Sequence, residues 1–155
     1  MIKGPSLIAA FTVGLLLCQP AQAETWKDGF GQGVHEASID KGPGNEIRVA
    51  CESGYGRPIT GISFVLGGKT APPNSTVTLT FDSQDPFTVS VDESGSINSD
   101  CRVCAANFEY VRDRLRQSSS VYVMFNDGVG TRFSLSGASK AIGDECVADF
   151  WKTFD

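Results

Sequence analysis

The chain is 155 residues long, 41% hydrophobic and 20% charged, with 13 basic against 18 acidic residues and a net charge of −5. That length holds one modest core rather than two domains of ~100–200 residues, and the acidity argues against a phosphate-binding surface, so no nucleic-acid partner is expected. Seventeen glycines and seven prolines exclude a helical bundle or coiled coil.

In chain order, Lys3 precedes an apolar run from Leu7 to Leu17, too short for the ~20 residues that span a bilayer. Ala21-Gln22-Ala23 follows, the small-x-small pattern of a signal peptidase site. Residues 1–23 therefore read as a secretory signal cleaved after Ala23. The rival is a lipid anchor at Cys18, but a lipobox wants a small residue before the cysteine and Leu17 is large. The remainder, 24–155, is expected to be a single β-rich domain, periplasmic or secreted. It carries 12 basic against 18 acidic side chains and no stretch able to cross a membrane.

Trp26 to Gly33 is glycine-rich and reads as irregular, and Val34 to Asp40 as a short strand. After a turn at Lys41 to Asn45, Ile47, Val49 and Cys51 share one face of a strand over Glu46 to Cys51. Ile62, Phe64 and Leu66 do the same within Ile59 to Leu66, which Gly67-Gly68 breaks. Val77, Leu79 and Phe81, then Phe87, Val89 and Val91, mark two strands around the turn-rich Asp82 to Pro86. Asp92 to Asp100 is polar and reads as a loop.

The period then changes. Phe108, Val111 and Leu115 form one stripe of an amphipathic helix over 107–117, with Asn107 as its N-cap. Arg112, Arg114 and Arg116 resemble a basic patch, but Glu109 and Asp113 interleave with them, which favours a solvated, charge-paired face. Val121 to Phe125 and Thr131 to Leu135 alternate around Asp127-Gly128, a strong hairpin signal. Ser136 to Ile142 reads as a helical turn, and Phe150 and Trp151 as closing the core. The expected fold is mainly β: a small antiparallel β-sandwich or open barrel of about six or seven strands with one amphipathic helix, stapled by disulfides.

Without the signal, four cysteines remain: Cys51, Cys101, Cys104 and Cys146. An even count in an exported domain points to two disulfides, with three possible connectivities. Cys51–Cys146 with Cys101–Cys104 is favoured, because the first bridge closes nearly the whole fold and restricts the unfolded chain by ~3–5 kcal/mol. Zinc would need a second closely spaced pair, which is missing. A redox role for Cys101-Arg102-Val103-Cys104 is the sharper alternative, since a following helix and Arg102 would both favour a thiolate, though no thioredoxin-type strand–CxxC–helix unit surrounds the pair.

No catalytic constellation emerges. His35 is the one histidine, and no nucleophile elbow, metal-binding histidine pair or carboxylate-rich calcium loop accompanies it. Gly29 to Gly33 lacks the lysine of a phosphate loop. The acid pairs Asp92/Glu93 and Asp144/Glu145 have nothing beside them to separate their protonation. Asn74-Ser75-Thr76 is a glycosylation acceptor only in a eukaryotic host. No cofactor and no metal are expected. Tyr55, between glycines in the Gly54-Tyr55-Gly56-Arg57 turn, is placed to contact a partner, with Arg57 beside it.

The strand Ile47-Arg48-Val49-Ala50-Cys51, the helix Phe108 to Leu115, the hairpin running into Phe133-Ser134-Leu135-Ser136-Gly137, then Ala141-Ile142 and the late Cys146, resemble a known pattern. It is similar to that of the VasI-like type VI secretion-associated β-sandwich proteins and, more distantly, of the invasion-associated locus B proteins. The resemblance covers roughly residues 45–151 and implies an early–late cysteine pair, here Cys51–Cys146. It also implies a non-catalytic envelope protein linked to secretion or host interaction, and it leaves the role of Cys101 and Cys104 open.

Three functions follow as expectations. The first is a non-enzymatic exported accessory that binds another protein through the Tyr55 turn, the Ser94–Asp100 loop or the helix face. The second is an acidic inhibitor or immunity protein against a cell-wall hydrolase such as lysozyme. The third is a thiol–disulfide oxidoreductase using Cys101 and Cys104.

Overall fold

The computed structural model describes residues 24–52 and 59–154. Within them, ten strands form two antiparallel sheets. The first contains β1 (Lys27–Gly31), β2 (Val34–Asp40), β3 (Glu46–Glu52), β4 (Gly61–Leu66) and β5 (Lys69–Thr70), hydrogen-bonded in that order. The second has the order β10-β9-β6-β7, built from β6 (Thr76–Phe81), β7 (Phe87–Ser90), β9 (Ser120–Phe125) and β10 (Gly130–Ser134). The short β8 (Ser96–Asn98) returns to the first sheet and pairs with β4. Three helices accompany the sheets among the described residues: α1 (Arg102–Gln117), α2 (Ala138–Ile142) and α3 (Asp149–Lys152).

The alternation read from the sequence sets the two inner faces. Ala37, Ile39, Ile47, Val49, Ile62, Phe64, Leu66 and Ile97 are buried on the first sheet, and Val77, Leu79, Phe81, Val121, Val123, Phe125 and Phe133 on the second. Ala105, Phe108, Val111 and Leu115 of α1 join the same core. Each fully buried large side chain contributes ~1.5–3 kcal/mol of transfer free energy, so the period-2 pattern is the main source of cohesion. The mainly β, disulfide-stapled architecture with one principal helix is as expected, and among the described residues no helix is long and apolar enough to cross a membrane.

Four local expectations are corrected. The stretch Trp26 to Gly33 is not irregular: Lys27–Gly31 pairs along β2, and Gln32 (φ 52°) with Gly33 (φ 80°) makes the two-residue turn between them. Every residue of β1 is exposed, so it has no apolar alternation to read. Gly67-Gly68 does not simply end a strand; with φ of 57° and 79° it turns β4 back into β5. The expected loop 92–100 contains β8, which carries one apolar residue, Ile97, opposite Ile62. Finally, α1 begins five residues before Asn107, and its N-cap is Cys101, whose sulfur accepts from the Cys104 N–H at 3.1 Å.

Candidate functional site

The two disulfides are those favoured by the cysteine arithmetic: Cys51–Cys146 and Cys101–Cys104. Together they assign the chain to an oxidising compartment outside the cytosol. They sit in opposite environments. Cys51 lies on the inner face of β3 and Cys146 on the coil before α3, 5% and 2% exposed respectively. This bridge is buried and spans 95 residues.

A polar clasp adjoins it. Asp149, at the start of α3, accepts from the Thr60 N–H at 2.9 Å and from the Lys152 ammonium at 2.8 Å. Lys152 also donates to the Glu52 carbonyl at 2.6 Å and to the Thr60 hydroxyl at 3.2 Å. Ser99 donates to the Thr60 carbonyl at 2.7 Å and accepts from the Asp149 N–H at 3.0 Å. The buried carboxylate is therefore paired and hydrogen-bonded, as a buried charge must be. No sequence pattern announces this network, because its members come from β3, the β4 and β8 flanks, and α3. Glu52 and Thr60 flank segment 53–58, and Tyr55 and Arg57 lie outside the described residues.

Cys101 and Cys104 occupy the opposite setting. Cys101, Arg102 and Val103 are all exposed at the N-terminal end of α1. The first turn of the helix contains no acidic residue, although carboxylates are the side chains that stabilise this end of a helix. The helix is anchored from its other face by Ala105, Phe108, Val111 and Leu115. Along the outer face, Val103, Ala106 and Tyr110 recur at helical spacing and all three are exposed, Val103 at 69% and Tyr110 at 45%. Tyr110 packs tilted against Phe87, with ring centroids 4.6 Å apart.

The three arginines expected on a solvated, charge-paired face make separate fastenings. Arg112 binds the Cys146 carbonyl and the Asp113 carboxylate. Arg114 reaches Gln84 and covers the Phe81 ring, and Arg116 pairs with Asp144. Each arginine ties the helix to neighbouring structure. The Ser94–Asp100 segment is smaller as a contact surface than expected, because Ile97 and Ser99 are buried and the Asp92 carboxylate folds back onto the Ser94 and Ser96 N–H groups.

The strand edges differ in protection. The β10 edge is covered: the Ser134 N–H donates to Glu24 at 2.8 Å and its carbonyl accepts from the Trp26 indole at 3.2 Å. Lys41 donates to the Arg132 carbonyl at 2.6 Å. Pro86 precedes β7, and β5 is two residues long. Strand β1 has no strand on its outer side among the described residues. Gly29-Phe30-Gly31 leaves its second half uncharged, and Phe30 is 70% exposed. Phe30 stands opposite His35, which stands opposite Cys51, so the ring extends the core-facing side of the sheet beyond its cover. An open hollow of about 540 Å³ runs along this hairpin, from Lys27 and Phe30 to Glu36 and Ser38. His35 approaches Asp28 at 3.9 Å, and no cluster able to hold a metal ion is found among the described residues. The sequence signal of Phe30 is a bulky ring between two glycines, within a stretch whose glycines read as irregular.

A family model described as YfjT matches residues 24–142, a stretch that includes every strand and α1. No curated protein and no solved structure matches. The chain belongs to the YfjT family.

Proposed function

We propose that this chain is an exported accessory protein that binds another protein by strand addition along β1. The observation that carries the reading is the contrast between edges: β10 is covered by Glu24, Trp26 and Lys41, while β1 presents backbone groups and an exposed Phe30. An exposed edge is a template for an incoming strand, and an apolar side chain beside it supplies specificity. The disulfides fit release into the periplasm or the medium after cleavage of residues 1–23, and the family match begins at Glu24, the first residue after the expected cleavage point. The resemblance to VasI-like and invasion-associated locus B proteins suggests an envelope or secretion-system partner.

The test is site-specific photo-crosslinking in the producing cell. A crosslinker at position 30 is expected to capture one defined protein, and one at Thr88, on the opposite sheet, is not. Phe30→Lys should reduce capture by a neighbouring β1 crosslinker at least tenfold without lowering the melting temperature, since an exposed substitution costs about 0.5 kcal/mol or less. Equal capture from both sheets, or none from β1, would reject the edge as the contact. The excess of acidic side chains favours a second reading, inhibition of a basic cell-wall hydrolase. Loss of lysozyme activity at micromolar protein would establish it, and full activity would exclude it for that enzyme.

A further inference from the structure

We infer that Cys101–Cys104 is a thiol–disulfide exchange site for cysteine-bearing polypeptides, with Cys101 as the sulfur that forms the mixed disulfide. The inference is independent of strand addition at β1. Three observations converge on it. The bond lies at the positive end of a 16-residue helix, with Cys101 as N-cap and its sulfur already accepting the Cys104 N–H at 3.1 Å. A thiolate left on Cys101 is therefore received by a backbone donor and the helix dipole, the environment that lowers a cysteine pKa. The first turn departs from ordinary helix chemistry: it carries Arg102 and no carboxylate, an arrangement that costs helix stability and sets one cation after Cys101 to balance Asp100, the exposed carboxylate before it. The third observation concerns the substrate. Val103, Ala106 and Tyr110 form an exposed apolar strip leading away from the sulfurs along α1. A chain segment laid on that strip would present its cysteine at Cys101, and a polypeptide is the thiol source that can use it.

The exchange balances as follows. A substrate thiolate attacks the Cys101 sulfur, forming the mixed disulfide and breaking the bond to Cys104, which leaves as a thiolate and takes a proton from solvent. A second substrate thiolate then attacks the substrate sulfur of the mixed disulfide. The substrate disulfide forms, and Cys101 leaves as a thiolate held at the helix N-terminus. The substrate has lost two electrons, and its two thiol protons have passed to solvent or to the reduced pair. A disulfide on another protein restores the bond by the same two exchanges in reverse.

The experiment uses the oxidised full-length product, a reduced synthetic peptide carrying two cysteines and a leucine, and glutathione as a small thiol without apolar contacts. Acid-quenched alkylation and mass spectrometry follow each bridge separately. Cys101–Cys104 is expected to open at least 100-fold faster than Cys51–Cys146. It should also open at least tenfold faster than the same disulfide in an isolated peptide of residues 99–106, which has the sulfurs but no helix. Val103→Ser with Tyr110→Ser should slow exchange with the dithiol peptide at least threefold and leave glutathione unaffected. Alkylation of the reduced pair across pH should give Cys101 an apparent pKa at least about one unit below the ordinary ~8.5. A folded protein no faster than its own fragment, or a Cys101 thiol at the ordinary value, would overturn the inference. Equal slowing of both thiols by the double substitution would remove the strip from it.

Discussion

The two disulfides of this protein do different work, and their surroundings say why. Cys51–Cys146 is buried, joins positions 95 residues apart, and lies beside the Asp149–Lys152–Thr60 clasp. Cys101–Cys104 is on the surface, joins positions three residues apart, and caps a helix that the core already holds through Phe108, Val111 and Leu115. In the loop-entropy model a closure of that length restricts the unfolded chain by ~2 kcal/mol, against ~5 kcal/mol for the long one. A bond that contributes little to folding, placed where its sulfurs meet solvent, is free to open and close. A buried bond that ties β3 to the coil before α3 is not.

Removal of each bridge in turn is the strongest way to break this comparison. Cys51→Ala with Cys146→Ala is expected to cost ~5 kcal/mol, a large share of the 5–15 kcal/mol typical of a domain, so the variant should be partly unfolded at 37 °C. Cys101→Ser with Cys104→Ser should cost ~2 kcal/mol or less, partly because a serine at the N-cap also accepts a helix N–H. Urea denaturation of the two variants checks both numbers. Equal losses would mean that the surface bridge is structural after all.

The part of the fold legible in the sequence is the part that buries one face and wets the other. The strands around Val49, Phe64, Leu79 and Val123 and the stripe from Phe108 to Leu115 were visible because burial imposes a period on them. Strand β1 was invisible because it buries neither face, and β8 because a single residue, Ile97, carries its burial. The start of α1 is not legible from Asn107, because the helix N–H is accepted earlier in the chain by the Cys101 sulfur, a weak acceptor that carries no cap signal. The cysteine pairing was legible from count and spacing. Phe30, the clasp and the strip on α1 were not, since each depends on which elements become neighbours.

The clasp offers a second, smaller test of the same contrast. Asp149→Ala leaves the Thr60 N–H without its acceptor and Lys152 without its counter-charge in a largely buried site. Breaking such a pair costs ~3 kcal/mol, less than the loss of the adjacent bridge. Lys152→Met in the Asp149→Ala background should recover at least ~1 kcal/mol, because it removes the stranded charge. Additive losses would show that the pair is not coupled. Neither change should alter the rate at which Cys101–Cys104 opens; a tenfold change would show that Ser99, held in the clasp two residues before Cys101, passes the loss on to the surface bridge.

Acid supplies the gentlest probe. Among the described residues, three carboxylates are held below their ordinary values in the folded chain. Burial acts to raise Glu24, but the Ser134 N–H and the Lys41 ammonium more than offset it. The Ser119 and Ser120 N–H groups lower Asp82. Asp92 is pushed up by burial and held down by the Ser94 hydroxyl and the N–H groups of Ser96, Ser94 and Gly95. A depressed folded pKa means that the unfolded chain binds more protons across the interval between the two values. The stabilisation is therefore complete above the ordinary carboxylate range and is lost as pH falls through the folded values. The melting temperature should be nearly flat from pH 7 to about 5 and fall progressively toward pH 3, and Glu24→Gln, Asp82→Asn and Asp92→Asn should each flatten that fall. The variant lacking Cys101 and Cys104 should show the same acid slope as the parent, since an oxidised bridge binds no proton and these carboxylates lie elsewhere. A slope that changed with the surface bridge would mean that the exposed bond supports the edges those carboxylates fasten, and the division between one structural and one exchangeable disulfide would fail there.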